Sequence, residues 1–500
     1  MLFNSIEFIA VFLPIAWCIF MVLGRYTSRL AAIAWLVSAS LFFYGWWNPK
    51  YLLLILVSIC FNYLIGKRLS NLQNTKGRKA ILLSAVAVNL IALGYFKYAN
   101  FFIDNLNLVA GTDYSLGQIF LPLAISFFTF QQIAYLVDAY EGEFADCNFL
   151  QYCIFVTFFP QLIAGPIVHH KEVLPQFANS DFLKFSADNT ADGLTYFLIG
   201  LFKKVVLADS LSKFVGPTFA AADSGNEISF FVAWAAALTY TFQLYFDFSG
   251  YSDMAIGIGK LFNIHLPVNF FSPYKATNII DFWRRWHITL SCFLRDYLYI
   301  PLGGNRYGLA RRYINLMLTM VIGGLWHGAN WTFVIWGTLH GLYLVINHGF
   351  RKLRKHLGQE NLDQPSWAWT SVSRMITFVA VVVGWVVFRS ETFIGAKNIL
   401  SGMAGLKGYT LPNQIANLLP SFAQQFVHTV GSMPLLGGGT IVGVIEMTGL
   451  IALSFFLVCM PASQEQGPKL KAVSLLLCGY FVIQAVFFSR SPSEFLYFQF

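Results

Sequence analysis

Long apolar runs separated by short polar segments dominate this sequence. Most runs approach the roughly 20 residues that an α-helix needs to cross the hydrocarbon core of a bilayer. They lack the period-two alternation of membrane β-strands, so the predicted spans are helices. The pattern predicts an all-α polytopic membrane protein with roughly 11–13 transmembrane or re-entrant helices. The apolar runs cover residues 6–23, 30–47, 50–65, 80–96, 118–137, 148–168, 191–208, 230–247, 313–326, 331–349, 370–388, 441–460 and 470–488.

The composition supports this interpretation. Of the 500 residues, 57% are hydrophobic and 11% are charged, whereas soluble domains carry about 25% charged residues. The first run lacks a basic leader and a small-residue cleavage site, which predicts a retained span rather than a signal peptide. Between the runs no segment is long enough for a separate soluble domain. We therefore expect a single membrane domain over residues 1–500.

The distribution of charge predicts the orientation in the membrane. The formal net charge is +9, but Lys and Arg form short clusters between spans, which argues against nucleic-acid binding. Residues 66–79 hold five basic and no acidic side chains, so we place them in the cytoplasm, together with residues 351–356. Residues 408–440 carry no Lys, Arg, Asp or Glu and are expected outside. The seven cysteines show no paired spacing, so neither disulfides nor a cysteine zinc site is predicted.

Ionisable residues interrupt the apolar pattern between positions 239 and 341. Asp247 and Asp253 lie in or beside an apolar run that Gly250, Gly257 and Gly259 interrupt. Charged groups at membrane depth face a partner of opposite charge, a water-filled cavity or a functional site. The two carboxylates therefore either pair with arginines to hold the helices together or line a substrate site.

The pattern of the segment that begins at Asp281 predicts one amphipathic helix. We expect this helix to lie at the membrane interface or to be re-entrant rather than to span the membrane. It is either a surface helix anchored to anionic lipid or the polar wall of a cavity, in which arginines meet phosphates. At 100° per residue, the helix has an apolar face opposite a polar face. The apolar face consists of Phe282, Trp286, Leu290 and Phe293, and the polar face consists of Arg284, His287, Ser291 and Arg295.

Two histidines lie in the apolar stretch "GGLWHGANWTFVIWGTLHG" at residues 323–341. In one unbroken helix His327 and His340 would be separated by about 20 Å of rise, so they are not expected to form a pair. His287 is the better partner for His327. A zinc site made of these three histidines lacks any metal-ligand spacing. We predict no bound metal.

Five motifs occur in an order that resembles the membrane-bound O-acyltransferase (MBOAT) family, in particular its bacterial alginate O-acetyltransferase branch. The resemblance extends over nearly the whole chain. The motifs are "LPLAISFFTFQQIAYLVDAY" (121–140), "FFPQLIAGPIV" (158–168), "YFDFSGYSDMAIGIG" (245–259), "FWRRWHITLSCFLRDYLYIPLGGNR" (282–306) and "GLWHGANWTFVIWGTLHG" (324–341).

The resemblance implies the MBOAT fold, with helices around a central funnel or tunnel and a catalytic core at about residues 118–350. It assigns the family's histidine to His327 and the second polar position to His287. An imidazole suits general-base catalysis near neutral pH. We therefore expect His327 to activate an acceptor hydroxyl and His287 to orient His327 or to stabilise the oxyanion. His340 is expected to be structural.

The resemblance also implies the remaining parts of the reaction. Acetyl-CoA is the expected donor on the cytoplasmic side, with no resident cofactor. The acceptor is a polysaccharide of alginate type or a serine of a periplasmic acetyltransferase partner, and the location is the bacterial inner membrane. Alternatives are a D-alanyl or other acyl transferase that uses an acyl carrier protein, or a membrane transporter.

Four tryptophans are expected either to line a dry tunnel or to serve ordinary packing: Trp283, Trp286, Trp326 and Trp331. The predicted substrate-binding residues are Arg284, Arg285, Arg295, Asp247, Trp326 and Asn330. The three arginines bind the donor's phosphates or form scaffold ion pairs.

Overall fold

Helices make up nearly all of the regular structure in a computed structural model of the chain. The chain forms two compact units, and helix α11 (Phe230–Leu261) contributes to both of them. The prediction of an all-α protein is confirmed, apart from one small pair of strands. The structure describes residues 1–72, 75–143, 147–358, 366–417, 420–430, 434–465, 479 and 495–496.

The first unit contains Met1–Leu201 and Tyr251–Asn269, with the described residues between 471 and 499. A π-helical turn at Phe8–Phe12 leads into its first α-helix, and a 3-10 turn lies at Ser180–Leu183. Its helices are α1 (Leu13–Tyr26), α2 (Arg29–Gly45), α3 (Lys50–Asn71), α4 (Thr75–Ala110), α5 (Ile125–Glu141), α6 (Phe149–Thr157), α7 (Phe159–Leu162), α8 (His170–Ala178) and α9 (Ala187–Leu201).

The second unit contains Phe202–Gly250 and Phe270–Leu470. Short π and 3-10 segments lie at Phe202–Ala208, Pro273–Lys275, Arg295–Tyr299 and Gly437–Gly439. Strands β1 (Thr410–Pro412) and β2 (His428–Val430) pair in parallel. Besides α11, the helices are α10 (Asp209–Asp223), α12 (Ile279–Trp283), α13 (Ile288–Leu294), α14 (Gly308–His327), α15 (Trp331–His356), α16 (Trp367–Arg389), α17 (Phe393–Met403), α18 (Asn413–Ala416), α19 (Ser421–Gln424) and α20 (Ile441–Cys459).

Five helices in the described ranges are long and apolar enough to cross a membrane. Each is at least 19 residues long, and a helix of about 20 residues spans about 30 Å. The chain is therefore a multi-pass membrane protein. The predicted span at 470–488 lies outside the described residues except for position 479. The five helices are Phe8–Tyr26, Lys50–Asn71, Lys76–Ala110, Trp367–Arg389 and Ile441–Cys459.

The prediction that residues 148–168 form one span is wrong. The nine residues of α6 end at Phe158, whose ψ of 109° is not helical, and α7 adds only four residues with Pro160 in its first turn. Nine helical residues rise about 14 Å, less than half of the hydrocarbon thickness. The segment returns, so that His169 contacts Asp138 of α5. Residues 148–168 are re-entrant.

The glycines that interrupt the apolar run of α11 do not interrupt the helix. Instead, Gly257 lies against α9 in the first unit, where a Cβ would come within 2.5 Å of the carbonyl oxygen of Gly193. A Cβ on Gly193 would come equally close, 2.7 Å, to the carbonyl oxygen of Gly257. Paired small residues let helix backbones approach closely. These glycines serve packing between helices.

Candidate active site

A helical hairpin in the second unit carries the two histidines of the stretch 323–341. Helix α14 ends at His327, Gly328 is extended with φ −166°, and α15 begins at Trp331. The helices pack backbone to backbone: a Cβ on Gly324 would lie 2.3 Å from the carbonyl oxygen of Phe333. Because the helix breaks, the separation expected for one continuous helix does not apply.

Trp336 of α15 contacts both histidines of this hairpin. Its ring centroid lies 5.2 Å from that of His327, with perpendicular planes, and 4.8 Å from that of His340. Trp336 is 1% exposed, and both imidazoles are buried. His327 also meets the ring of Phe388 on α16 at 5.2 Å. The hairpin therefore brings two histidines, one from each helix, against one buried indole.

His287 approaches the same group from a turn between two short helices. The prediction of one amphipathic helix is wrong here, because α12 ends at Trp283 and α13 starts at Ile288. The carbonyl of Arg285 accepts a hydrogen bond of 2.9 Å from the Phe271 amide, and His287 has a left-handed φ of 42°. These two features divert the chain from a helical path and turn His287 into the interior.

Trp326 connects His287 to His327. Its ring centroid lies 6.3 Å from that of His287 and 4.9 Å from that of His327. Phe248 packs edge-on against His287 at 4.8 Å. His287 lies outside the predicted spans, and burial lowers the pKa of its imidazole to about 3. His287 is therefore neutral at physiological pH and can orient or donate to a neighbouring group.

His340 occupies an aromatic cage. Among the described residues, neither of its ring nitrogens has a hydrogen-bonding partner. Besides Trp336, it contacts Trp283 at 5.3 Å, Tyr343 at 5.5 Å and Trp385 at 6.2 Å between ring centroids. Trp336 connects this cage of aromatic rings to His327.

The predicted arginines lie in solvent-accessible positions. Arg285 donates from Nε to Asp281 Oδ1 at 2.8 Å, and Arg295 pairs with the neighbouring Asp296 at 2.6 Å. Arg284 is exposed. Phosphate binding by these three arginines stays a prediction, since two of them already hold local ion pairs.

Two other predicted substrate residues have structural contacts. Asp247 is buried, with Oδ1 2.7 Å from Lys204 Nζ, so its partner is a lysine rather than the expected arginine. The side chain of Asn330 accepts from the Thr332 amide at 3.0 Å and donates to the carbonyl of Glu391 at 2.9 Å. These contacts cap α15 and hold it to the start of α17. Substrate binding by Asp247 and Asn330 stays a prediction.

The four tryptophans proposed for a tunnel wall differ in burial. Trp286 and Trp326 are buried and Trp283 is half-buried, whereas Trp331 is 49% exposed. Sequence reasoning missed Trp336 and Trp385, which complete the buried group. Trp336 stands nine residues after His327 in the same quoted motif, so proximity to that histidine could have suggested it.

A basic pocket of about 610 Å³ opens beside the C-terminal part of α15. A second cavity of about 390 Å³ shares Arg351 with it and is also lined by Tyr343, which contacts His340. No sequence argument had placed a site here, although residues 351–356 were predicted to be cytoplasmic. The basic pocket is lined by Leu309, Arg312, Tyr313, His348, Arg351, Lys352 and Lys355.

Comparisons with known proteins agree with the motif resemblance. The model of the membrane-bound O-acyltransferase family matches residues 138–384. The chain is 42% identical to the peptidoglycan O-acetyltransferase of Helicobacter pylori, over 100% of this chain and 98% of the relative. It is 43% identical to the probable alginate O-acetylase AlgI of Pseudomonas aeruginosa, over 78% of this chain and 72% of the relative. It is 28% identical to a teichoic acid D-alanyltransferase of Streptococcus thermophilus, over 53% of this chain and 68% of the relative.

Proposed function

Because the chain belongs to the membrane-bound O-acyltransferase family, we propose that this acyltransferase moves an acetyl group from acetyl-CoA to a hydroxyl of an extracytoplasmic bacterial glycan. The observation that carries the proposal is the buried group of His327, Trp326 and His287 at the end of α14. The donor side is the cytoplasm and the membrane is the inner membrane. No resident cofactor takes part.

His327 acts as the general base. Its imidazole takes the proton of the acceptor hydroxyl while the hydroxyl oxygen attacks the carbonyl carbon of the thioester. The tetrahedral intermediate then collapses with cleavage of the C–S bond, and the imidazolium returns its proton to the leaving thiolate. His327 ends α14, and the negative end of a helix dipole favours a protonated imidazole by about 0.3–1 kcal/mol. That location supports the role of a base.

His287 acts through its contact with the same indole. A neutral imidazole with a protonated ring nitrogen can donate a hydrogen bond to the oxyanion or to the His327 ring. The left-handed turn at His287 fixes the direction of its side chain. We assign His287 to orientation of His327 or to stabilisation of the oxyanion, as the sequence predicted.

The basic pocket beside α15 is a suitable place for the donor's phosphates. Arg312 Nη2 lies 3.0 Å from a ring nitrogen of His348, and Arg351, Lys352 and Lys355 complete the lining. Arginine and lysine together match the phosphates of a coenzyme in charge and geometry. We therefore propose this pocket as a donor site in addition to the arginines predicted from sequence.

A continuous set of contacts leads from this pocket towards His327. Arg351 lines both cavities, Tyr343 lines the second one, and His340 and Trp336 follow in ring contact. Along α15, 15 residues separate Trp336 from Arg351, which corresponds to a rise of about 22 Å. An extended thioester arm suits such a separation between phosphates and the reacting carbonyl.

The acceptor is proposed from the names of the relatives. Since the match to a peptidoglycan O-acetyltransferase covers almost all of both chains, peptidoglycan is the first acceptor to assay. An alginate-like exopolysaccharide is the second. Transfer can reach either glycan directly or through a serine of a periplasmic acetyltransferase partner.

Purified protein with radiolabelled acetyl-CoA tests the reaction. Wild-type protein should label the glycan or the partner protein, and His327→Ala should reduce the rate at least 100-fold because general-base catalysis contributes about 10²–10⁴. His428→Ala, an exposed histidine of β2, serves as the matched control. Full activity of His327→Ala would contradict the proposal. Stable label on His327 itself would instead indicate a covalent mechanism.

A second assay identifies the donor. With acetyl-CoA, Arg312→Ala and Arg351→Ala should raise KM more than they lower kcat, whereas Lys397→Ala on α17 should change neither. Because D-alanyltransferases are among the relatives, D-alanyl-loaded carrier protein is tested in parallel. Transfer from the carrier protein and none from acetyl-CoA would overturn the donor assignment but retain the acyltransferase.

A further inference from the structure

A cluster of two histidines and one aspartate joins α5 to α8 in the first unit. His169 Nε2 lies 2.8 Å from Asp138 Oδ2, and His170 Nδ1 lies 3.1 Å from the same oxygen. Asp138 and His170 are buried, and His169 is 27% exposed. None of these residues belongs to the proposed catalytic group, which lies in the second unit.

The second ring nitrogen of His170 faces a backbone carbonyl. His170 Nε2 lies 3.3 Å from the carbonyl oxygen of Glu143. Since a carbonyl oxygen can only accept, Nε2 donates in this contact, so in the neutral form of the ring the lone pair is on Nδ1. Metal-bound histidines commonly donate their other N–H to a backbone carbonyl in this way.

The lone pair of His170 Nδ1 then faces an oxygen that is also an acceptor. This buried nitrogen lies 3.1 Å from Asp138 Oδ2, its charged neighbour in the described part of the chain, without the alignment of a hydrogen bond. Two acceptors about 3 Å apart in a buried place repel each other unless a second ring proton or a metal ion lies between them. The ring cannot easily turn away, because Tyr135 and Phe155 pack edge-on against it at 6.1 and 6.3 Å between centroids.

Further carboxylates surround the same point. Oxygens of Asp138, Glu141 and Glu143 lie within 4.8 Å of one another, as do the ligand atoms of Asp138, His169 and His170. The two groups share Asp138. Glu141 and Glu143 are exposed, and Glu143 pairs with Lys171, so Glu141 or water can reach a fourth position from solvent.

We propose that Asp138, His169 and His170 bind one divalent transition metal ion, with zinc as the best match. Zinc takes imidazole nitrogen and carboxylate oxygen at about 2.0–2.2 Å in a tetrahedron, which places ligand atoms about 3.3 Å apart. The observed separations of 2.8 and 3.1 Å are close to that value. Two imidazoles disfavour calcium and magnesium, which prefer oxygen ligands. In the bound form, zinc replaces the His169–Asp138 contact and the His169 proton moves to Nδ1, which gives up the 3.4 Å hydrogen bond that it accepts from the Lys171 amide.

The bound ion connects the two ends of the re-entrant segment at residues 148–168. Asp138 precedes the segment and His169 follows it, so one metal closes the chain around α6 and α7. Sequence analysis predicted no metal and considered only His287, His327 and His340 as a zinc site, because adjacent histidines about 30 positions after an aspartate match none of the usual ligand spacings. The proposal does not rest on the acetyl-transfer reaction.

Metal analysis of the full chain in detergent, purified without a polyhistidine tag, tests this site. After treatment with a chelator and dialysis, zinc should return to about one ion per chain, and Co²⁺ should give the visible absorption bands of tetrahedral coordination. His169→Ala/His170→Ala and Asp138→Asn should each weaken zinc binding at least 10-fold. His265→Ala, an exposed histidine of the same unit, should bind like the wild type.

A measurement on wild-type protein covers the case in which the variants fail to fold. Zinc, but not Mg²⁺, should raise the thermal unfolding midpoint of the stripped wild type. The proposal is overturned if stripped wild type binds no zinc and shows no cobalt bands. It is also overturned if the double-histidine variant binds zinc as tightly as His265→Ala, because the metal would then lie elsewhere.

Discussion

The buried lysine of the second unit provides a direct test of which charges hold the helices together. Lys204 Nζ lies 2.7 Å from Asp247 Oδ1 and 2.9 Å from Asp209 Oδ1. The side chains of Lys204 and Asp247 are only 4% and 2% exposed, whereas that of Asp209 is 21% exposed. Removing one partner of a buried ion pair costs about 3–5 kcal/mol, since the other charge remains unpaired at low dielectric.

The geometry makes the two single substitutions unequal. Lys204→Met leaves two carboxylates close together, one of them fully buried, so its cost should reach about 5 kcal/mol. Asp247→Asn leaves Lys204 with Asp209, so its cost should stay below about 3 kcal/mol. The double variant Lys204→Met/Asp247→Leu should recover most of the loss, because apolar replacement of a buried pair is often neutral or stabilising.

Thermal unfolding in detergent, followed by tryptophan fluorescence, measures these effects, with acetyl transfer assayed on the same preparations. Lys213→Met is the control, since its 3.8 Å pair with Glu446 is exposed and should contribute less than about 0.5 kcal/mol. The reasoning fails if Asp247→Asn unfolds at a lower temperature than Lys204→Met. A stable Asp247→Asn that has lost acetyl transfer would instead support the substrate role predicted from the sequence.

Three further predictions concern the helical hairpin. Gly337→Leu should abolish the peak of folded protein in size-exclusion chromatography, because even a Cβ at this position would lie 2.3 Å from the Met320 carbonyl oxygen. Gly349→Leu is the control and should keep that peak, because a Cβ there would have no neighbour within 4 Å. Trp336→Ala should lower kcat at least 10-fold by admitting water beside His327, and normal kcat with normal stability would show that the indole is not needed. His340→Phe should keep most of the activity, because the cage already surrounds that ring with aromatic contacts.

Sequence patterns predicted the helices of the hairpin well and failed elsewhere for a physical reason. The runs 313–326 and 331–349 correspond to α14 and α15, since glycine and asparagine interrupt an otherwise continuous apolar pattern at positions 328–330. The run 148–168 looked equally apolar, yet it turns back after nine helical residues. Hydropathy reports the burial of a segment, and a re-entrant helix covered by protein is as apolar as a span.

Sequence analysis named residues that the structure brings together, but it missed part of the wall around them. Motif resemblance selected His327 and His287, and the structure brings both against Trp326. Trp385 was missed because it lies on α16, 58 residues after His327 in the sequence, and its "VVVGWVVF" surroundings are indistinguishable from ordinary span residues. Contacts between distant helices depend on packing geometry, which local periodicity does not encode.

The short break between α14 and α15 explains why the polar residues of the hairpin belong together. If the helix continued, His327 and His340 would stand about 20 Å apart along one axis. Gly328 ends α14, and Asn330 starts α15 by accepting the Thr332 amide. The pattern Asn-Trp-Thr, which matches a glycosylation signal, therefore acts as a helix cap. Because the chain reverses at this cap, His327 is placed at a helix end with Trp336 against its ring, and the proposed base acquires an aromatic wall from its own hairpin.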